Sequence, residues 1–333
     1  MAIAALALAQ MADAMSEMMK EKNPHWASLN ELSFVTGMRL LFWIFRLFGR
    51  WPFRVVLYPV LLWYVMTKPR PRAASKDYLR RISGYVAVPI GIPGVILHFA
   101  AFAENILDKM LLWGGLYKTE DVQFHGVAKM EQLIRERRGA VLVCSHLGNL
   151  ELCRVLSLKR PGLRLTILVH TKHAKAFNQL LAALNPASQL NLMQVSEITP
   201  ATAMILAEKV EQGEFIVIAG DRVPLAQSPR VAVVNFFGAQ AAFPVGPYVL
   251  ASILHCPIYM LFSHQAGKHA EIHFELLHAA PRLPRKGREQ VLADLAGSYA
   301  NRLEYHCQRV PLQWFNFYDF WHLPELDTTD AVR

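Results

Sequence analysis

The sequence predicts an α/β fold: a central mixed, largely parallel sheet flanked by helices, with membrane-associated helices ahead of it. Three observations carry this. After residue 120, short β-rich runs alternate with helical patterns. Two of those runs, Ala140–Cys144 and Phe215–Ala219, are apolar without interruption, as strands covered on both faces are. Residues 38–66 are apolar and aromatic but punctuated by arginine.

The first 30 residues, of which 1–15 are Ala- and Met-rich, are expected to be a poorly ordered extension. They have no basic stretch before the apolar one, so a cleaved signal peptide is not expected. Residues 31–83 form the expected membrane-associated segment. Its apolar run after Arg54 is shorter than the ~20 residues that cross a bilayer, and Arg46, Arg50, Pro52 and Arg54 interrupt the longer stretch. Trp43, Trp51, Tyr58, Trp63 and Tyr64 are residue types that settle at the membrane interface. Two helices lying in the cytoplasmic face are expected, with one tilted span as the alternative. Lys68, Arg70, Arg72, Lys76, Arg80 and Arg81 follow directly and suit an anionic leaflet.

Residues 84–325 are the expected α/β domain, and 326–333 a tail. Pro89, Pro93 and three glycines oppose a continuous helix at its start. From Val95 to Leu112 an amphipathic helix is predicted, with Phe99, Phe102, Ile106 and Met110 on one face and His98, Glu104, Asn105, Asp108 and Lys109 off it. Strands are predicted at 140–144, 165–169, 191–195, 215–219, 231–235, 258–262 and 271–276. Helices are predicted at 127–137, 150–158, 174–184, 200–212, 244–254 and 288–308.

The net charge of +9 admits nucleic acid or anionic lipid as a partner. No nucleic-acid-binding signature is present, and the basic cluster beside the aromatic segment selects lipid. Cys144, Cys153, Cys256 and Cys307 are scattered in apolar surroundings, as reduced buried thiols are. No metal site is predicted: His255, His264, His269, His273 and His278 lack ligand spacing and are given surface or packing roles.

The run Ser145-His-Leu-Gly-Asn-Leu-Glu151 carries the chemistry. It delivers His146 at the end of a strand, Gly148 permits a tight turn, and Asn149 is placed to cap the next helix. Glu151 in the first helical turn can meet the imidazole across this junction. It would fix the tautomer while His146 acts as a general base toward an alcohol or amine. The alternative is a loop histidine and a solvated carboxylate. Asp221 and Arg222 end another predicted strand, where α/β sheets gather ligands. Arg222 suits a phosphate or an oxyanion, or simply closes a loop with Asp221. Phe236, Phe237, Gly238 and Phe243 could line an acyl groove or pack a turn.

The run from Ser145 to Glu151 resembles the His-x4-Asp/Glu motif of the lysophospholipid acyltransferase superfamily. The wider pattern is most similar to the branch holding the lipid A secondary (lauroyl/myristoyl) acyltransferases. Phe215–Pro224, Val234–Pro247 with its Phe-Phe-Gly, and Val310–Trp321 with Pro-Leu-Gln-Trp resemble further blocks of that branch in order and spacing. Two blocks depart from the pattern. Asp221-Arg-Val-Pro replaces an Asp-x-Asp-Gly-like run, and Phe243-Pro-Val-Gly lacks the Glu of glycerolipid enzymes. The resemblance implies that His146 is the catalytic base and Glu151 its partner. It also implies acyl carrier protein, or acyl-CoA, as donor, a lipid or glycolipid acceptor, and a site on the cytoplasmic side of the inner membrane. No cofactor is expected. With no Gly-x-Ser-x-Gly elbow, transfer is expected to be direct. A hydrolase using the same dyad, and a non-catalytic lipid- or carrier-binding adaptor, are the rival readings.

Overall fold

A computed structural model of the chain describes residues 43–113, 115–152, 159–160, 162–169, 190–194, 199–223, 229–267 and 269–323. Three helices come first: α1 (Trp51–Thr67), α2 (Pro69–Ile82) and α3 (Gly91–Trp113). Then follow β1 (Val122–His125), α4 (Val127–Arg135), β2 (Ala140–Gly148), β3 (Leu165–Val169), β4 (Leu190–Gln194), α5 (Pro200–Glu211) and β5 (Phe215–Ala219). The chain continues through β6 (Val231–Phe236), β7 (Ala239–Pro244), α6 (Gly246–Ile253), β8 (Ile258–Ala266), β9 (His269–His278) and α7 (Arg288–Arg309).

Seven strands form one sheet in the order β1-β9-β8-β2-β5-β3-β4, while β6 and β7 make a separate hairpin. Among the described strands of the large sheet, the β8–β9 pairing is antiparallel and the other pairings are parallel. The apolar runs behave as their composition dictates. Val141 and Val143 enter a core shared with α1–α3, α6 and α7, and Ala140, Leu142 and Cys144 enter the opposite one with Met130 and Leu133 of α4. Alternate side chains of β2 are therefore buried in different layers.

Four features differ from expectation. Helix α3 begins at Gly91, because Pro93 lies in its first turn, where a missing N–H costs no hydrogen bond. Gly94 there packs directly against the Pro89 carbonyl. His98 and Asn105, expected off the apolar face, are buried. His98 is satisfied by Ser75 Oγ at Nδ1 (2.9 Å) and the Trp314 carbonyl at Nε2 (2.9 Å), and burial drives its pKa down to about 4. The short edge strand β1 and the small-residue strand β7 carry too little hydrophobic signal to be recognised alone. The helix expected from Pro244 begins at Gly246, because Pro244 still pairs with Val231.

Among the described residues no helix is long and apolar enough to cross a membrane. Helix α1 buries Leu57, Leu61, Tyr64 and Val65 yet exposes Trp51, Val55, Tyr58, Leu62, Trp63 and Met66. Arg54 and the preceding Arg50 are structural as well as basic: Arg50 and Arg54 bond Glu104 of α3 at 3.1 and 2.5 Å, and Arg50 also bonds Asp108. The segments expected as helices at 150–158 and 174–184 lie wholly or largely outside the described residues, as do Cys153 and the predicted terminal extension and tail. The other three cysteines are buried.

Candidate functional site

Strands β2 and β5 are parallel neighbours, with Ala140 paired to Phe215 and Cys144 to Ala219. The offset is constant along the pair. Carried two residues past Cys144 and Ala219, it sets His146 beside Asp221. Asp221 Oδ1 lies 2.7 Å from His146 Nδ1, and its Oδ2 accepts the His146 backbone N–H at 2.7 Å. Both groups sit at the carboxyl edge of the sheet, where open α/β sheets bind ligands.

The sequence expectation named Glu151 as the partner of the imidazole; on Nδ1 the structure has Asp221. Asp221, remote in sequence, occupies that nitrogen because strand register overrides sequence proximity. Asn149 does cap the following turn, its Oδ1 accepting the Glu151 backbone N–H at 3.1 Å. The Glu151 carboxylate acts electrostatically on Lys109 of α3, supporting its charge.

Asp221 is fully buried and saturated with donors. Trp314 Nε1 reaches Oδ2 at 2.9 Å and Asn316 Nδ2 at 3.3 Å. Burial works to raise its pKa, but the His146 charge, the His146 hydrogen bonds and Trp314 together hold it below the ordinary carboxylate value. His146 is lowered too: burial and the Arg222 cation outweigh Asp221, which favours the imidazolium. The ring is therefore neutral near pH 7. With its proton on Nδ1, Nε2 presents a lone pair. The side chain keeps 31% of its exposure, enough to meet a substrate.

Arg222 donates from Nε to Asn316 Oδ1 (3.0 Å) and from Nη2 to the Phe315 carbonyl (3.2 Å). Burial and the nearby Arg222 lower the pKa of Lys109, which Glu151 partly restores. The charges of Lys109 and Arg222 both depress His146. Sequence reasoning missed Lys109, Trp314 and Asn316 as site residues. The Pro-Leu-Gln-Trp block pointed to the last two, but their aromatic surroundings read as packing.

Strand β2 runs to Gly148 because residues of the C-terminal segment extend it. Gly148 N–H donates to the Gln313 carbonyl (2.7 Å), and Phe315 N–H donates to that of His146 (2.9 Å). Gly148 has φ +62°, and a Cβ there would lie 2.1 Å from the Ser263 carbonyl oxygen. Gly148→Ala is therefore expected to destabilise the chain by on the order of 3 kcal/mol, combining backbone strain and overpacking, and to displace His146. Thermal melting and turnover measure the two effects.

Phe237 and Gly238 lie in the β6–β7 turn, both with positive φ, as a two-residue hairpin loop requires. Phe237 packs on Tyr78 and Tyr85 (centroids 6.1 and 5.4 Å), so this hairpin braces the N-terminal helices.

A parallel-rich sheet carrying a carboxylate-held imidazole on its carboxyl edge is the build of an α/β enzyme. The family model for bacterial lipid A biosynthesis acyltransferases matches residues 116–322. The chain belongs to that family, which makes it a lipid A biosynthesis-like acyltransferase. No curated protein matched it.

Proposed function

We propose that this protein moves a fatty acyl group from acyl carrier protein, or acyl-CoA, to a hydroxyl or amine of a lipid or glycolipid. The observation that carries this reading is the buried Asp221 on Nδ1 of a partly exposed His146. His146 Nε2 takes the proton of the acceptor as its oxygen or nitrogen attacks the thioester carbonyl. Lys109 and Arg222 offset the charge that develops on the carbonyl oxygen or a nearby phosphate. The intermediate collapses, the C–S bond breaks, and the imidazolium returns its proton to the leaving thiolate. No covalent enzyme intermediate and no cofactor enter this sequence.

In this reading the reaction runs at the cytoplasmic face of the inner membrane. Support comes from the exposed apolar and aromatic face of α1, continued by exposed Trp43, Leu47 and Phe48, together with the basic residues of α2. Trp51→Glu combined with Trp63→Glu is expected to release the protein from vesicles containing anionic lipid. Co-sedimentation measures this, and unchanged pelleting would refute the assignment of this face.

The decisive assay supplies membranes bearing the wild type with labelled acyl carrier protein and follows label into extractable lipid. Label in lipid, identified by mass spectrometry, supports transfer; free fatty acid alone would indicate hydrolysis. Carrier binding without turnover would favour an adaptor. The same assay gives a pH profile. Because the His146 pKa is lowered, kcat/KM should be flat near pH 7 and fall only below the ordinary imidazole value of ~6.5. Arg222 disfavours the imidazolium, so Arg222→Gln should raise that pKa and move the acid limb to higher pH.

A further inference from the structure

Three buried histidines from three different elements meet behind the Gly148 turn: His264 of β8, His273 of β9 and His306 of α7. Each ring offers one nitrogen to the group, and these nitrogens lie within 4.8 Å of one another. His306 Nδ1 and His264 Nε2 are 3.4 Å apart. A zinc ion ~2.05 Å from both would subtend an angle of about 110°, close to tetrahedral.

The hydrogen bonds around the cluster favour a cation at its centre. Glu275 binds His306 Nε2 at 3.0 Å, and Glu271 binds His273 Nε2 at 2.9 Å. A carboxylate behind a ring places its proton on Nε2 and leaves a lone pair on Nδ1. Arg302 pairs with Glu275 and Arg309 with Glu271, which keeps both carboxylates ionised. Two rings thus hold unshared lone pairs. His264 Nε2 carries at most one proton, so it can serve only one of the two lone pairs. Such an arrangement is poorly satisfied as a hydrogen-bond network but matches a metal ligand set backed by carboxylates.

We propose that His264, His273 and His306 form a structural site for a borderline divalent cation, zinc foremost, that ties β8, β9 and α7 together. Soft thiolates are absent from the set, and neutral imidazoles suit zinc over magnesium or calcium. A cleft of about 470 Å³, lined by Arg309, Leu312 and Gln313 among others, adjoins His264. His125, Glu271 and His273 form a second grouping. It relies on an exposed ring, and its carboxylate is already engaged by His269, His273 and Arg309. The three-histidine site is separate from His146, so it stands or falls independently of the transferase mechanism. Residue spacing could not reveal it, because its members are scattered through the final third of the chain.

The test uses full-length protein in detergent, with any affinity tag removed, stripped by chelator and titrated with Zn²⁺ or Co²⁺ alone. The expected result is one ion per chain, visible absorption from four- or five-coordinate Co²⁺, and a higher melting temperature with Zn²⁺. His264→Gln and His306→Gln should weaken binding by about 10- to 100-fold or more, while His125→Gln retains it. Stripped wild type that takes up no stoichiometric ion overturns the proposal. So does uptake that survives both His264→Gln and His306→Gln, or that is lost only in His125→Gln. Should the ligand variants fail to fold, Glu275→Gln removes only the carboxylate behind His306. It should still weaken Co²⁺ about 10-fold, and unchanged affinity would overturn the site.

Discussion

Replacing His146 with alanine is expected to lower acyl transfer by about 10²–10⁴-fold, the usual contribution of a positioned general base. The fold should survive. Asp221 loses one side-chain donor but keeps the His146 backbone N–H, Trp314 Nε1 and Asn316 Nδ2, so its buried charge remains solvated by hydrogen bonds. The loss should appear in kcat with lipid-incorporated label as the readout, while circular dichroism and the melting profile stay close to wild type. Full turnover in a folded His146→Ala protein would remove the general-base mechanism altogether. A collapse of both folding and turnover would instead assign His146 to the architecture.

Much of the scaffold was legible because burial on two faces leaves a strong signature. The strands 165–169 and 215–219 match the structure residue for residue, since each is a short apolar block with punctuation at its ends. The His146 turn was legible for the same reason: an apolar strand followed by Ser-His-Leu-Gly-Asn. Its partner was not, because a spacing argument ranks candidates by sequence distance and Asp221 is 75 residues away. Pairing the two most apolar predicted strands in parallel, each starting where its block starts, would have aligned His146 with Asp221. The contributions of Trp314 and Asn316 depend on the C-terminal segment returning alongside β2, which no local pattern encodes. Lys109 was visible only as a polar interruption of an amphipathic helix. The histidine cluster needed both the β8–β9 pairing and the packing of α7.

The second large effect concerns Asp221, and it separates the two carboxylates proposed for one imidazole. Asp221→Asn is expected to cost about 10²–10⁴-fold in kcat/KM. An amide nitrogen facing His146 Nδ1 would force the ring's proton onto Nε2, and a protonated Nε2 cannot accept one from the acceptor. Asp221→Ala goes further, leaving Trp314 Nε1, Asn316 Nδ2 and both His146 donors without the shared carboxylate. A cost of about 3–5 kcal/mol in stability follows, measurable by denaturant unfolding. The pH profile supplies the discriminating readout. Asp221 favours the imidazolium, so residual activity in Asp221→Asn should show its acid limb at lower pH than wild type. Glu151→Gln acts through Lys109, whose charge that carboxylate supports and which depresses His146, so it should not move the limb to lower pH. A limb that moves to lower pH in Glu151→Gln and stays fixed in Asp221→Asn would return the partnership to Glu151 and overturn the dyad drawn from the strand register.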